Sequence, residues 1–233
     1  MDHDSTRGWK LWPLPLVAGL VPAIAALVAL WLAIALGIIP SCNPLLDGCV
    51  SISRAARHDL PNHVFRALVL PAAVLQGATW VLCASWLARA GSGSKSTLRV
   101  LPWLGVLVAL SLVIYGTFLG TEGQVYRWLR RYGVIFYFGF SYLNMLLVSA
   151  ALWRAARAGA VKPPAQLHRW LIFLCAITLA IALTEVFVPP LLDDPDLKDR
   201  LENIIEWYVA AALTLFFMAL AWLWRDARHD VTW

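Results

Sequence analysis

Residues 12–39 read WPLPLVAGLVPAIAALVALWLAIALGII and contain no charged side chain. A helix needs about 20 apolar residues to cross a hydrocarbon core of about 30 Å, and only helices or closed barrels satisfy their backbone hydrogen bonds there. Five further apolar stretches of similar length follow, separated by short polar segments. We therefore predict an all-α, polytopic transmembrane bundle of six helices, at about 12–39, 67–88, 100–120, 134–153, 170–188 and 204–224.

The composition also places the chain in a membrane. Of its 233 residues, 61% are hydrophobic and 14% are charged, and the mean hydropathy is +0.69, which is unlike a soluble domain. No break in composition divides the sequence, so we predict a single transmembrane domain over residues 1–233. The net charge of +5 comes mostly from basic residues that flank the spans, and we do not expect nucleic acid as a partner.

Orientation is predicted from the lysine and arginine residues beside the spans. Eleven of the nineteen lie on the side of both termini, which predicts that the N and C termini are cytoplasmic. The connection from Pro40 to Arg66 then lies outside, and it is longer than a turn between two helices requires. Within it, Cys42 and Cys49 can form a disulfide if the loop faces an oxidising compartment.

This loop also carries a resemblance to a known family. Together with the Glu206-Trp207 pair that opens the last span, it resembles the DRAM/FRAG/Sfk-like membrane proteins, which include damage-regulated autophagy modulators and a protein of GPI-anchor lipid remodelling. The loop residues concerned are Cys42, Ser51-Ile52-Ser53, Ala55, Pro61 and Val64-Phe65-Arg66. The resemblance implies a six-span fold and a lipid-linked function. Gly133 to Leu147 is similar to the aromatic-rich fourth span, although Tyr126, Arg127 and Arg130 stand where members often have a histidine.

Ionisable residues at the external ends of the spans predict a polar pocket. Such groups are costly in a membrane unless they are paired or hydrated, and Glu185 and Glu206 both lie toward the external ends of spans five and six. The pocket can receive a lipid headgroup or transfer protons; alternatively, buried ion pairs hold the loop on the bundle. The candidate residues are Ser53, Arg54, His63, Arg66, Glu185 and Glu206.

A second candidate surface precedes the fourth span, where Arg127, Arg130 and Arg131 alternate with aromatic residues. Arginine forks match phosphate, so these residues can contact lipid headgroups at the interface. They can equally be snorkelling anchors for the adjacent spans. The acidic residues near position 195 read as a solvated loop, and we predict neither a metal site nor a cofactor.

The sequence leaves open whether the protein is an enzyme. The histidines fall in tails, loops or a span boundary, which disfavours an intramembrane di-haem carrier, and there is no Cys-x-x-Cys motif or nucleophile elbow. We expect an integral membrane protein whose partners are membrane lipids, with a role in lipid remodelling. The alternative is a non-catalytic accessory subunit that packs against other integral membrane proteins. The high alanine, arginine and tryptophan content of the chain favours the bacterial inner membrane as its location, with a eukaryotic endomembrane as the alternative.

Overall fold

Six long helices and one short helix make up the fold in the part of the chain that the structure describes. The computed structural model describes residues 11–157 and 167–226. The basic residues Arg7, Lys10, Lys162 and Arg228, which contribute to the predicted orientation, lie outside these ranges. The helices are α1 (Pro13–Ala35), α2 (Ile52–Ala55), α3 (Asp59–Arg89), α4 (Lys95–Phe118), α5 (Gln124–Arg157), α6 (Leu167–Phe187) and α7 (Pro195–Asp226), with a 3₁₀ turn at Pro189–Leu191 before α7.

Every helix except α2 is long and apolar enough to cross a membrane. This confirms the prediction of a helical six-span membrane protein, and the described residues contain no strand. Five helices begin earlier than the predicted spans, and the difference is largest for α3, α5 and α7, which begin at Asp59, Gln124 and Pro195. The apolar run marks the part of a helix that lies in hydrocarbon, whereas the backbone hydrogen bonds continue through the polar residues beside it.

The six long helices form a ring. Each packs against the next in sequence, and α7 closes the ring by packing on α1 as well as on α6. Contacts between α3 and α4 and between α4 and α5 are the most extensive, while α5 and α7 touch only slightly across the ring. The interior of the ring is therefore surrounded by several helices.

Small residues allow the closest helix contacts. Gly77 of α3 and Gly105 of α4 face each other, because a Cβ added to Gly105 would lie 2.6 Å from the Cβ of Trp80 and 3.3 Å from the carbonyl oxygen of Gly77. On the other side of the ring, a Cβ added to Gly19 of α1 would lie 2.5 Å from the Cβ of Phe217. Glycine at such crossings lets helix backbones approach, which favours van der Waals packing in a membrane.

The connection between α1 and α3, residues 36–58, is called the cap segment here. It is shorter than the predicted loop from Pro40 to Arg66, because α3 already begins at Asp59. A disulfide joins Cys42 to Cys49, with their Cα atoms 6.5 Å apart. The Oγ atom of Ser51 accepts a hydrogen bond of 3.2 Å from the backbone N–H of Arg54 and so caps α2. The end of the bundle that carries this segment is called the cap end.

Candidate functional site

Side chains on one face of α7 hold the cap segment on the bundle. Asn203 Nδ2 donates a hydrogen bond of 2.8 Å to the carbonyl of Gly48, and Trp207 Nε1 donates one of 2.9 Å to the carbonyl of Val50. Both side chains are buried. A buried carbonyl needs a donor, so these two bonds fix the backbone of the cap segment relative to α7.

Glu206 lies between these two residues and points its carboxylate at the cap segment. Its Oε1 atom accepts a hydrogen bond of 3.3 Å from the backbone N–H of Ser53. In the described part of the chain no cation lies within salt-bridge distance of Glu206. The carboxylate therefore sits half-buried with one backbone donor and keeps further acceptor capacity for a ligand.

Arg54 pairs instead with Asp199, at the start of α7. Its two terminal nitrogens donate to the two carboxylate oxygens over 2.9 and 2.7 Å. The hydrogen bonds to Asp199 raise the pKa of Arg54 above its usual value. Because both side chains are nearly half exposed, the pair stabilises the cap by about 1 kcal/mol or less.

A cavity of about 370 Å³ lies beneath the cap segment, inside the ring of helices. Its walls come from α1, α3, α4, α5 and α7, and they are almost entirely apolar. Ile52 and Glu206 line its cap end. Leu27 and Leu215 also line it, and they are 57% and 50% exposed.

A few polar atoms interrupt the apolar wall of the cavity. The Oε1 atom of Gln76 and the hydroxyl of Tyr115 are buried and have no hydrogen-bond partner within the described ranges. The Nε2 atom of Gln76 is satisfied, since it donates to the carbonyl of Ala18 over 3.0 Å. Unpartnered buried polar atoms are costly, so atoms that border a cavity of this size are candidate ligand contacts.

The structure brings together only part of the predicted pocket. Ser53, Arg54 and Glu206 converge at the junction of the cap segment with α7. His63 is exposed on α3, where its Nδ1 atom lies 2.8 Å from the carbonyl of Asp59. Arg66 is half-buried on the same helix and forms no hydrogen bond or ion pair with the described residues.

Glu185 lies apart from the cavity wall. It is exposed on α6, within electrostatic range of Glu202, Lys198 and Glu206 of α7. The ion pairs considered for Glu185 and Glu206 are not formed, since neither carboxylate lies within salt-bridge distance of a cation in the described part of the chain. Instead of those ion pairs, hydrogen bonds from α7 hold the cap segment on the bundle.

The arginines before the fourth apolar span lie in the first turns of α5, at the cap end. Arg127 and Arg131 are exposed. Arg130 is half-buried, and its Nη1 atom donates to the carbonyl of Thr121 over 3.4 Å. Trp128 and Tyr132, next to them, are also exposed and in ring contact. The arrangement suits an interfacial position for all three arginines, with Arg130 turned furthest toward the bundle.

Sequence reasoning missed the cavity and several residues around it. Tyr115 and Gln76 look like ordinary polar residues in apolar spans, and only their lack of partners distinguishes them. Arg57, whose Nε atom is buried without a partner, follows Arg54 by three residues and could have been singled out with it. Trp207 was visible only as part of the Glu206-Trp207 pair. Asn203 had one usable signal, because it lies three residues before Glu206 and shares a helical face with it.

Comparison with known proteins gives one match. A family model described as the Frag1/DRAM/Sfk1/Cwh43P N-terminal domain matches residues 10–226. No curated protein and no solved structure matches the chain significantly.

Proposed function

Because the chain belongs to the Frag1/DRAM/Sfk1/Cwh43P family of membrane proteins, we propose that it binds a lipid in the cavity beneath its cap segment and takes part in lipid remodelling. The observation that carries the proposal is the cavity itself. It has apolar walls inside a membrane bundle and a carboxylate at one end. Its volume of about 370 Å³ lies within the range of small-molecule sites, about 300–1,000 Å³.

The arrangement of polar and apolar groups fits an amphiphilic ligand. The hydrocarbon part would lie against the alanine, leucine and phenylalanine side chains of the wall, and the head would reach Glu206 and Ser53 at the cap end. Entry past Leu27 and Leu215 would bring the ligand directly from the surrounding bilayer. A lipid that entered in this way would not need to leave the membrane.

The cap segment supports an external position for this end of the bundle. A disulfide between Cys42 and Cys49 persists in an oxidising compartment, which agrees with the orientation expected from the basic residues. We therefore place the headgroup end of the cavity on the side opposite the two termini, which for a bacterial inner membrane is the periplasmic side.

Native mass spectrometry of the full chain, extracted gently from its own membrane, tests the proposal. Wild-type protein is expected to carry a defined lipid. Ala26→Phe, which adds an aromatic ring to a buried cavity wall, is expected to lose most of that lipid while the protein stays folded. Glu206→Gln is expected to change which headgroup is retained, since the carboxylate loses its charge.

Glu122→Gln is the matched control, because Glu122 is an exposed carboxylate at the same end of the bundle. Lipid bound equally by wild type, Ala26→Phe and Glu206→Gln would show that the cavity is not the binding site. A stoichiometric protein partner without any selected lipid would instead favour the accessory-subunit alternative. Incubation of the lipid-bound protein with isolated lipids, followed by their mass analysis, tests for remodelling.

A further inference from the structure

Two arginines at the cap end lie close together without an acidic partner. The guanidinium groups of Arg57 and Arg130 are near enough to repel each other electrostatically. In the residues that the structure describes, neither forms a salt bridge, and Glu206 affects Arg57 electrostatically from beyond salt-bridge distance. The Nε atom of Arg57 is buried and unpartnered. Two facing cations with unused donors form a favourable environment for an anion.

Tyr115 of α4 extends this cluster to the cavity. Its side chain is 3% exposed and its hydroxyl has no hydrogen-bond partner within the described ranges. Glu206 and both arginines lie within electrostatic range of it. Phe65 packs edge-on against its ring, with the ring centroids 6.3 Å apart. Tyr115 is also part of the cavity wall. Tyr115 therefore brings a buried, unpartnered hydroxyl to the cavity wall.

Backbone packing holds both arginines in place. Asn62 Nδ2 donates to the carbonyls of Ala56 and Leu119, over 2.9 and 3.0 Å, and so joins the residue before Arg57 to the end of α4. Gly120 has a φ of +86°, and a Cβ there would lie 2.5 Å from the carbonyl oxygen of Arg57. The arginine backbone thus rests directly on this turn, a contact that only glycine permits.

Arg130 is held near the same turn from the other side. Its hydrogen bond to the carbonyl of Thr121 attaches it one residue beyond Gly120. Gly133 lies three residues later on the same face of α5, and a Cβ there would lie 3.0 Å from the backbone nitrogen of Tyr115. The close approach of α5 to α4 at Gly133 therefore places Arg130 within one helical turn of the backbone of Tyr115.

We propose that Arg57, Arg130 and Tyr115 bind a phosphate group whose attached hydrocarbon occupies the cavity below. This inference rests on the proposed function, since it names the headgroup chemistry of the same cavity. Guanidinium forks and a phenolic O–H are all donors, which matches the acceptor oxygens of a phosphodiester or phosphomonoester. The negative charge of Glu206 beside them disfavours a headgroup that carries a second anion.

Binding of three probes to the full chain in a phosphate-free detergent tests this proposal by native mass spectrometry. The probes are phosphatidylethanolamine, diacylglycerol with the same acyl chains, and inorganic phosphate. Wild-type protein is expected to prefer phosphatidylethanolamine over diacylglycerol by about tenfold or more, because hydrogen bonds to a charged group are strong. Arg57→Gln and Tyr115→Phe are expected to remove that preference, so that the two lipids bind equally.

Tyr115→Phe keeps the test valid if an arginine variant misfolds, since it removes one buried oxygen and preserves the ring. Arg99→Gln, an exposed arginine at the opposite end of α4, controls for loss of net charge. Equal binding of both lipids, unaffected by the variants, would overturn the phosphate site and leave the lipid cavity standing. Binding of neither lipid and of no phosphate would overturn both proposals. If neither lipid binds but inorganic phosphate binds in an Arg57-dependent manner, the lipid cavity is overturned and the anion site is assigned to a soluble phosphate.

Discussion

At the scale of single residues, one short stretch of α7 both attaches the cap segment and lines the cap end of the cavity. Asn203 and Trp207 bind backbone carbonyls of the cap segment, and Glu206 between them faces both the cap and the cavity. The Glu206-Trp207 pair was visible in the sequence as part of the family resemblance, and the family match confirms that resemblance. Its partners were not visible, because Gly48 and Val50 contribute only backbone atoms, which carry no residue-specific signal.

Replacing Trp207 with phenylalanine tests its structural role. The change keeps an aromatic ring but leaves the carbonyl of Val50 without its donor. An unsatisfied buried acceptor costs about 1–3 kcal/mol, so a clear fall in the melting temperature in detergent is expected. Trp222→Phe on the same helix is the control, because Trp222 is 58% exposed whereas Trp207 is 6% exposed. Equal melting temperatures for the two variants would show that the hydrogen bond to Val50 is unimportant.

At the scale of elements, the cap segment is the part that sequence reasoning described least well. It was expected to run from Pro40 to Arg66, but α3 begins at Asp59, which moves His63 and Arg66 from a loop onto a helix. A helix ends where its backbone loses hydrogen-bond partners, and the last apolar residue does not mark that point. The polar first turns of α3, α5 and α7 are all extensions of this kind.

Reduction of the disulfide tests how far the cap segment depends on its covalent link. In the chain-entropy description, a bridge across a short loop stabilises by about 2–3 kcal/mol. A reducing agent is therefore expected to lower the melting temperature and to increase proteolysis within residues 36–58, with the membrane helices intact. The Cys42→Ser, Cys49→Ser double variant should behave in the same way without reductant. Unchanged proteolysis in both would mean that α7 alone holds the cap.

At the scale of the whole molecule, the ring of helices explains the cavity. Because α5 and α7 scarcely touch across the ring, side chains from five helices must fill its interior, and those present leave about 370 Å³ open. The glycines at positions 19, 77 and 105 allow neighbouring helices of the ring to pack closely, but these contacts do not fill the interior of the ring. The space beneath the cap is thus a consequence of helix order and small interface residues together.

Single-cysteine labelling tests the orientation of the molecule. Ser96 lies in the first turn of α4 and Glu122 just beyond its last residue, and the 24 residues of α4 span about 36 Å, so the two positions lie on opposite sides of a membrane. In sealed cells, a membrane-impermeant maleimide is expected to label Glu122→Cys directly and Ser96→Cys only after permeabilisation. The opposite result would reverse the orientation and place the cap segment in the cytoplasm. The unmodified chain provides the background, since Cys83 and Cys175 are buried.

The sequence alone was sufficient to establish that the chain spans a membrane, that it is helical, how many spans it has and which family it resembles. Each of these depends on local hydropathy or on short motifs. It also identified Ser53, Arg54 and Glu206, which do meet at the cap end. Only the tertiary structure showed the cavity, the unpartnered hydroxyl of Tyr115 and the approach of Arg57 to Arg130. These features depend on which faces of distant helices meet, and that is decided by packing around the whole ring, which no local pattern in the chain records.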